Sequence, residues 1–572
     1  MKARYGATAI ALPLLLCACA SGVGTSATAP AQGAATADEA HASSYGLFLA
    51  GQAAINRGHG AQAAHFFDEA ASADRKSSLL RAEAFTAALL AGQVRQAAEM
   101  APVSGPDAEG VRPLADLTRG VEAMAEGRAR AAEKILAVPQ GGTDGEPAAA
   151  LLAPFAAAQA GDKVGAVTRP QFTADPIDQF QADIDQGVLF EETGRYPEAE
   201  TAFRALIARG DPGGEASLEL GALLERRGRQ AEAIAIYDEA LRRSPNSLVQ
   251  TARARAAGRG APPPMPTIRQ ASAKAMLAPA AALLVHRQQE AALACLRLSL
   301  RLDPGLDDAW IMVGDILNTA GDTDAARVAY GQPKPSSTEY ATARAKLAWS
   351  YQNAGDKAQA LKIAQQAAAA TNAEDAQLTL ADLERVDGDN ANSIAILDKL
   401  IAQKAGQAEW RLLYMRAAAY QAADRWPEAE QDLQAALKLS PDEPELLNFL
   451  GYSWIDRGEK LKEGLAMVQR AVDQDPQSGA MMDSLGWAYY HLGNYPAAVE
   501  KLEMAAALDA ADPEVNDHLG DAYWKVGRKT EAIYQWRQVL TLSPNPKLKA
   551  EVEAKLKSGP DDRMAPADLT GS

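Results

Sequence analysis

The feature of this 572-residue sequence that most constrains its fold is a leucine–glycine pair that recurs with a fixed spacing. Leu485-Gly486 and Leu519-Gly520 are 34 residues apart, and Leu450-Gly451 lies 35 residues before the first of them. An aromatic residue, a turn glycine and a small residue follow at constant offsets. These residues are Tyr489, Gly493 and Ala498 in one unit and Tyr523, Gly527 and Ala532 in the next. A phase kept across consecutive units predicts an array of two-helix units, each packed mainly on its neighbours.

The residue types at the recurring positions have direct structural reasons. Small residues such as Gly486 and Ala498 let the two helices of a unit approach closely, and Gly493 supplies the positive φ of the turn between them. Pro544 ends the second helix of the last unit. The same phase continues upstream and covers most of residues 43–547, in about twelve units. Its upstream turn glycines are Gly58, Gly127, Gly194, Gly228, Gly321, Gly355 and Gly458.

One interruption divides the predicted array. Gly221 and Ala280 hold equivalent positions but are 59 residues apart, which is 25 more than one period. Four prolines within 258–267 forbid a continuous helix there and predict a joint between two halves. The predicted segments are an N-terminal array at 43–247, a proline-rich joint at 248–272, a C-terminal array at 273–547, and a helical end with a disordered tail at 548–572.

The first residues have the pattern of a signal peptide. Lys2 and Arg4 precede an apolar stretch, residues 7–16, that is too short to span a bilayer. Leu16-Cys17-Ala18-Cys19 resembles the lipobox of bacterial lipoproteins, which implies removal of residues 1–18, lipidation of Cys19 and a flexible tether at 19–42. Ala20 stands where an aspartate would retain such a lipoprotein in the inner membrane, so the resemblance implies an outer-membrane anchor facing the periplasm. The alternative is an ordinary signal peptide that is cleaved after Ala18 or Ala20.

The recurring residues resemble the tetratricopeptide repeat (TPR). This resemblance implies an all-α fold, a right-handed superhelix of helix pairs with a binding groove lined by the first helix of each pair. The implied groove residues are Asn448, Tyr452, Asp483, Trp487, Tyr490, Asp517, Asp521 and Trp524. We expect Trp487, Tyr490 and Trp524 to be exposed in the groove as apolar anchors, and Trp454, Tyr489 and Tyr523 to lie in the core. The alternative is that all of these aromatic residues are core, and that the carboxylates form a solvated face.

Composition and motifs narrow the function classes. A net charge of −17 is unfavourable for binding nucleic acid, and a groove rich in carboxylates favours a partner with Lys or Arg. The six histidines are scattered, and the sequence has no HExxH, P-loop or GxSxG motif. The three cysteines provide no metal cluster. We therefore expect a non-enzymatic protein with no metal or cofactor, and an enzyme with an unrecognised site is the less favoured alternative.

A finer resemblance concerns the C-terminal units. The segments 446–451, 483–487 and 516–521, together with Trp524, resemble a family of proteobacterial TPR lipoproteins. A characterised type in that family recruits a periplasmic carboxyl-terminal-processing protease and presents peptidoglycan hydrolases to it. The resemblance implies a protease adaptor at the cell wall. The alternative kept open is an assembly or targeting factor for outer-membrane or pilus proteins.

Overall fold

The computed structural model describes residues 43–102, 110–137, 147–172, 176–371, 373–404, 409–542 and 544–559, and these residues form α-helices joined by short turns. The described chain contains no β-strand. The all-α prediction is therefore confirmed. Cys19, the predicted signal peptide and tether, and the predicted tail from residue 560 lie outside the described residues.

The chain divides into two compact units, and the division lies between Leu347 and Ala348. Unit 1 contains the described residues up to Leu347. Its helices are α1 (Ser44–Ile55), α2 (Gly60–Ala73), α3 (Ser78–Leu90), α4 (Val94–Met100), α5 (Arg112–Ala125), α6 (Ala129–Leu136), α7 (Pro147–Ala160), α8 (Pro176–Glu192), α9 (Tyr196–Arg209), α10 (Glu215–Arg226), α11 (Gln230–Arg243), α12 (Ser247–Ala257), α13 (Ile268–Ala275), α14 (Leu277–Val285), α15 (Gln289–Leu302), α16 (Asp307–Thr319) and α17 (Thr323–Tyr330).

Unit 2 contains the described residues from Ala348 onward, and the division falls within α18 (Tyr340–Asn353). The helices that follow are α19 (Lys357–Ala370), α20 (Glu374–Asp387), α21 (Asn390–Gln403), α22 (Trp410–Ala422), α23 (Trp426–Leu439), α24 (Pro444–Asp456), α25 (Leu461–Gln474), α26 (Gly479–His491), α27 (Tyr495–Leu508), α28 (Pro513–Lys525), α29 (Lys529–Thr541) and α30 (Pro546–Ser558). Among the helices in the described ranges, none combines the length and the apolar character that crossing a bilayer requires.

The glycines of the repeat do what their spacing predicts. Gly493, between α26 and α27, has φ 75°, and Gly527, between α28 and α29, has φ 85°. A Cβ atom on Gly520 of α28 would lie 2.5 Å from the indole Nε1 of Trp536, because that ring packs directly on the glycine backbone. The helix α28 therefore carries a residue without a side chain where α29 places the large ring of Trp536.

Unit 1 differs from a simple array in which each pair packs only on its neighbours. The helix α15 also packs against α3, α4 and α5, far away in the sequence. Arg301 of α15 binds the Glu122 carboxylate of α5 at both oxygens, with N–O distances of 2.7 and 2.9 Å, and Arg297 donates to the carbonyl of Leu90 at 3.0 Å. One continuous core joins these distant helices. The sequence period could not predict this, since it specifies only neighbour contacts.

The proline-rich segment also differs from the prediction of a joint between halves. Residues 258–267 are not helical, but the part of the predicted joint that precedes them, residues 248–257, lies in α12. After the prolines, α13 packs against α7 and α8, and α14 packs against α8. Both sides of the segment therefore belong to unit 1, and the chain divides about 80 residues later. Thr267 starts α13 with a capping box, in which its side chain and that of Gln270 satisfy each other's backbone amides.

Candidate functional site

The predicted groove residues lie on the first helices of three successive pairs in unit 2. We call α24, α26 and α28 the A helices and their joint surface the A-helix face. Each A helix packs against the next one as well as against its own partner helix. Because the repeat is 34 or 35 residues long, Tyr452, Trp487 and Asp521 occupy equivalent positions, and Lys555 of α30 continues the series.

Trp487 is buried, contrary to the prediction that it is exposed in the groove. Only 5% of Trp487 and 6% of Tyr490 is exposed. The indole stacks on the Tyr490 ring at a centroid distance of 4.7 Å and on the His518 ring at 3.9 Å. His518 covers the indole because it occupies the position that the small residue Ser484 holds one repeat earlier. Trp487 and Tyr490 thus form part of the core between α26 and α28.

Asp483 forms an ion pair with the histidine of the same stack. Its carboxylate oxygens lie 2.9 and 3.1 Å from His518 Nδ1, and both residues are buried. Burial disfavours a charged imidazole, but the adjacent Asp483 carboxylate outweighs it and raises the pKa of His518 to about 9. His518 is therefore an imidazolium at neutral pH, and it ties α28 to α26. The role of His518 was not predicted from the sequence.

Asp517 and Asp521 are paired in the same way, by a lysine that the sequence analysis also missed. Lys555 Nζ lies 2.7 Å from Asp517 Oδ2 and 2.8 Å from Asp521 Oδ2, and Trp536 Nε1 donates to Asp521 Oδ1 at 3.1 Å. Burial raises the pKa of Asp521, although Lys555 opposes this shift. These carboxylates therefore fasten α30 to α28. The spacing of 34 residues from Asp521 to Lys555 was the signal that could have found the lysine.

The remaining predicted groove residues are partly exposed. Trp524 packs at a centroid distance of 5.4 Å from Trp536, and Lys529 Nζ lies 4.7 Å above its ring. Tyr452 is half-buried, and burial raises the pKa of its hydroxyl. Asn448 is also half-buried, and among the residues that the structure describes its Oδ1 has no hydrogen-bond partner. Of the residues predicted to form the core, Trp454 and Tyr523 are buried and Tyr489 is partly exposed.

The exposed edge of the A-helix face is acidic. Glu445 and Asp456 of α24 and Glu514 of α28 have exposed side chains. Burial by the surrounding helices nevertheless raises the pKa of Glu514, and burial together with the neighbouring Glu445 raises the pKa of Glu443. The face thus offers two partly exposed aromatic rings beside several carboxylates. This arrangement suits contact with a partner that carries apolar and cationic side chains.

The described residues contain no group of three histidine, cysteine or carboxylate side chains that could hold a metal ion. The only cysteine among them, Cys295, is buried in the core of unit 1. The A-helix face presents hydrogen-bonding, cation-accepting and apolar groups side by side.

Fold and surface together define a helical-repeat solenoid of the tetratricopeptide type. Residues 184–247 and 414–479 match a family model of the tetratricopeptide repeat, and residues 486–527 match a second TPR model. A stretch of 110 residues is 32% identical to a TPR repeat-containing protein of Pseudomonas aeruginosa, covering 19% of this chain and 18% of that protein. The chain thus spans less than a fifth of that curated relative.

Solved structures also show similarity to the chain. The structure of the APC/C hetero-tetramer Cut9-Hcn1 is 16% identical over 90% of this chain and 96% of that chain, with a TM-score of 0.38. A tetratricopeptide repeat protein from Parabacteroides merdae is 14% identical over 44% of this chain and 97% of its own, with a TM-score of 0.36.

Proposed function

We propose that this chain is a non-enzymatic scaffold of the cell envelope that holds periplasmic proteins beside one another, namely a carboxyl-terminal-processing protease and peptidoglycan hydrolases. The observation that carries the proposal is the match of residues 414–479 and 486–527 to tetratricopeptide repeats, because these residues build the A-helix face. Repeats of this type generally mediate contacts between proteins. The resemblance of the C-terminal units to adaptor lipoproteins supports the choice of partners.

The binding residues in this proposal are the partly exposed ones. Trp524 and Tyr452 supply apolar contact area, and Glu445, Asp456 and Glu514 accept cationic groups of the partner. The buried residues have a different role. The stack of Trp487, Tyr490 and His518 and the Asp483–His518 pair fix the spacing of α26 and α28. Asp517 and Asp521 fasten α30 to α28, so that the exposed residues hold one arrangement.

The proposed attachment is a lipid on Cys19, with residues 19–42 as a tether and the outer membrane as the site. Its test is metabolic labelling with a palmitate analogue in a Gram-negative host. The full-length chain should incorporate the label and sediment with outer membranes, and Cys19→Ser should remove both properties. Labelling that persists in Cys19→Ser would contradict the assignment of Cys19.

The partner class is tested by affinity capture of the tagged, membrane-anchored chain after brief chemical cross-linking. A processing protease and wall hydrolases should be enriched. Trp524→Ala should weaken their capture by about 2 kcal/mol, the loss expected for a central aromatic contact. The matched control is Tyr534→Ala, which removes a ring that is 66% exposed on the second helix of the same pair. Enrichment of barrel or pilus proteins would favour the assembly role, and enrichment of neither group would refute both.

A further inference from the structure

The first described helix of unit 1, α1, is almost entirely apolar. Its 12 residues, Ser44–Ile55, include no Asp, Glu, Lys or Arg. The nearest charge along the chain is Arg57, two positions after the end of the helix. A helix that is apolar on all sides is normally covered on several sides by its surroundings. Helix α1 is therefore expected to have neighbours on more than one side.

Among the described helices, α2 is the only one that α1 contacts extensively. The Phe48 ring of α1 meets the Phe67 ring of α2 edge to face, at a centroid distance of 5.8 Å. Helix α7, which also lacks charged residues, instead packs against α5, α6, α8 and α13. One side of α1 therefore has no protein neighbour in the described part of the chain.

The uncovered side carries large apolar side chains. Tyr45 is 69% exposed, Leu49 is 47% exposed and Ile55 is 43% exposed. Phe48, which is half-buried, and Leu49 follow Tyr45 by three and four positions. Ile55 follows Phe48 by seven, so the four residues lie on one side of the helix. We call Tyr45, Phe48, Leu49 and Ile55 the α1 stripe.

The place of α1 in the chain brings this stripe close to the proposed lipid anchor. Ser43 follows Cys19 by 24 positions, so even a fully extended chain can carry it no more than about 85 Å from the lipid. This limit gives α1 an effective concentration on the order of 1 mM at the bilayer surface. A weak affinity for the bilayer is then enough to keep α1 bound.

The size and chemistry of the stripe favour a bilayer over a second protein chain. Stable protein interfaces contain about 20 to 30 residues a side, whereas the stripe is one side of a single short helix. A bilayer surface accepts an apolar helix face without a shaped complement, and α1 has no carboxylate for anionic lipids to repel. At 1.5 Å per residue, α1 is about 18 Å long. This is too short to cross the hydrocarbon core, so the helix suits the plane of the surface.

We propose that α1 binds the phospholipid bilayer surface and inserts the α1 stripe among the lipid headgroups, as a second contact beside the lipid on Cys19. The inference rests on the proposed attachment, because the anchored Cys19 supplies the proximity. It goes further in giving the folded part of unit 1 a membrane contact of its own. The consequence is that α1 and the helices packed on it stay at the membrane surface.

The experiment places the fluorescent amino acid dansylalanine at position 52 of α1, so that the stripe itself is unchanged, and couples the chain from Cys19 onward to vesicles. The Cys19 thiol is joined to a maleimide-bearing lipid in vesicles of phosphatidylethanolamine and phosphatidylglycerol, since the other cysteine of this chain, Cys295, is buried. Lipids with a spin label near the headgroup should quench the fluorescence at least twofold. Chemical coupling makes this test independent of whether cells attach a lipid to Cys19, which the palmitate labelling decides.

Leu49→Gln combined with Ile55→Gln should remove most of the quenching. The matched control is Leu79→Gln with Val328→Gln, which changes two residues of unit 1 outside the stripe that are 50% and 63% exposed. Quenching lost only in the stripe variant would support the proposal. Retained quenching in the stripe variant, equal loss in the control, or no quenching in the chain that carries only the probe would overturn it. Blue-shifted fluorescence that spin-labelled lipids do not quench would also overturn it, in favour of a second chain that covers the stripe.

Discussion

The pair formed by Asp483 and His518 makes unit 2 lose stability as the pH rises from neutral to alkaline values. The pKa of His518 is about 9 in the folded chain and near 6.5 when the chain is unfolded. Because the folded value is the higher one, the charged pair contributes its full stabilisation below pH 6.5 and loses it as the pH rises through 9. The difference between the two pKa values corresponds to about 3 kcal/mol of the free energy of unfolding. Roughly 2 to 3 kcal/mol of this stabilisation disappears between pH 7 and pH 10.

The assay is urea unfolding followed by tryptophan fluorescence at pH 7 and pH 10. Seven of the eight tryptophans lie after Leu347, so the signal reports mainly on unit 2. His518→Gln keeps a polar side chain but cannot carry the charge. It should destabilise unit 2 at pH 7, and by about 2 to 3 kcal/mol less at pH 10, where only the loss of the ring stacked on Trp487 remains. His286→Gln, which replaces an exposed histidine of unit 1, should keep the full pH dependence.

Other groups of unit 2 also make its stability depend on pH. Burial raises the pKa of the Tyr452 hydroxyl, so this residue disfavours the folded state as the pH rises toward 10, in the same direction as His518. Burial lowers the pKa of His491, so this residue favours the folded state above its unfolded pKa and disfavours it as the pH falls. The decisive quantity is therefore the difference between the unmodified chain and His518→Gln at each pH. A difference that stays constant from pH 7 to pH 10 would refute the reasoning about the pair.

Three further predictions concern the packing of unit 2. Gly520→Ala should destabilise it by about 1 to 3 kcal/mol in the same unfolding assay, because the new Cβ would lie 2.5 Å from Trp536 Nε1. Lys555→Ala should lower the free energy of unfolding by about 3 kcal/mol, because it leaves Asp517 and Asp521 buried without a cation. Adding Asp517→Asn and Asp521→Asn should recover part of this stability, and no recovery would argue against the pairing. Trp487→Ala should lower the stability of unit 2 by about 3 to 5 kcal/mol, because only 5% of Trp487 is exposed. A variant within about 1 kcal/mol of the unmodified chain would contradict the burial of Trp487.

The local features of the fold could be predicted from the sequence because each depends on residues within one repeat. Gly493 and Gly527 have the positive φ that their turns require, and Gly520 meets the side chain that its position predicts. The contacts of α15 with α3, α4 and α5 could not be predicted in this way. They join Arg301 to Glu122 across 179 residues, and no period in the sequence records such a pairing.

The candidate site was predicted only in part for a related reason. The repeat fixes which face of a helix carries Trp487, but exposure on that face depends on what the next helix places above it. At the position that the small Ser484 holds on α26, the next A helix, α28, carries His518, and the His518 ring covers the Trp487 indole. Likewise, the carboxylates Asp517 and Asp521 are neutralised by Lys555, which lies beyond the predicted end of the array. Trp524, near the end of α28, is more exposed than Trp487.

The proposed function requires that the A-helix face of unit 2 contacts partner proteins. It is tested most directly by placing a photoreactive amino acid at position 524 and, as control, at position 534, then irradiating living cells. The account predicts discrete cross-linked products from position 524 that contain a processing protease or a wall hydrolase, and none of these from position 534. Identical products from both positions, or none from position 524 in a stably folded chain, would contradict it.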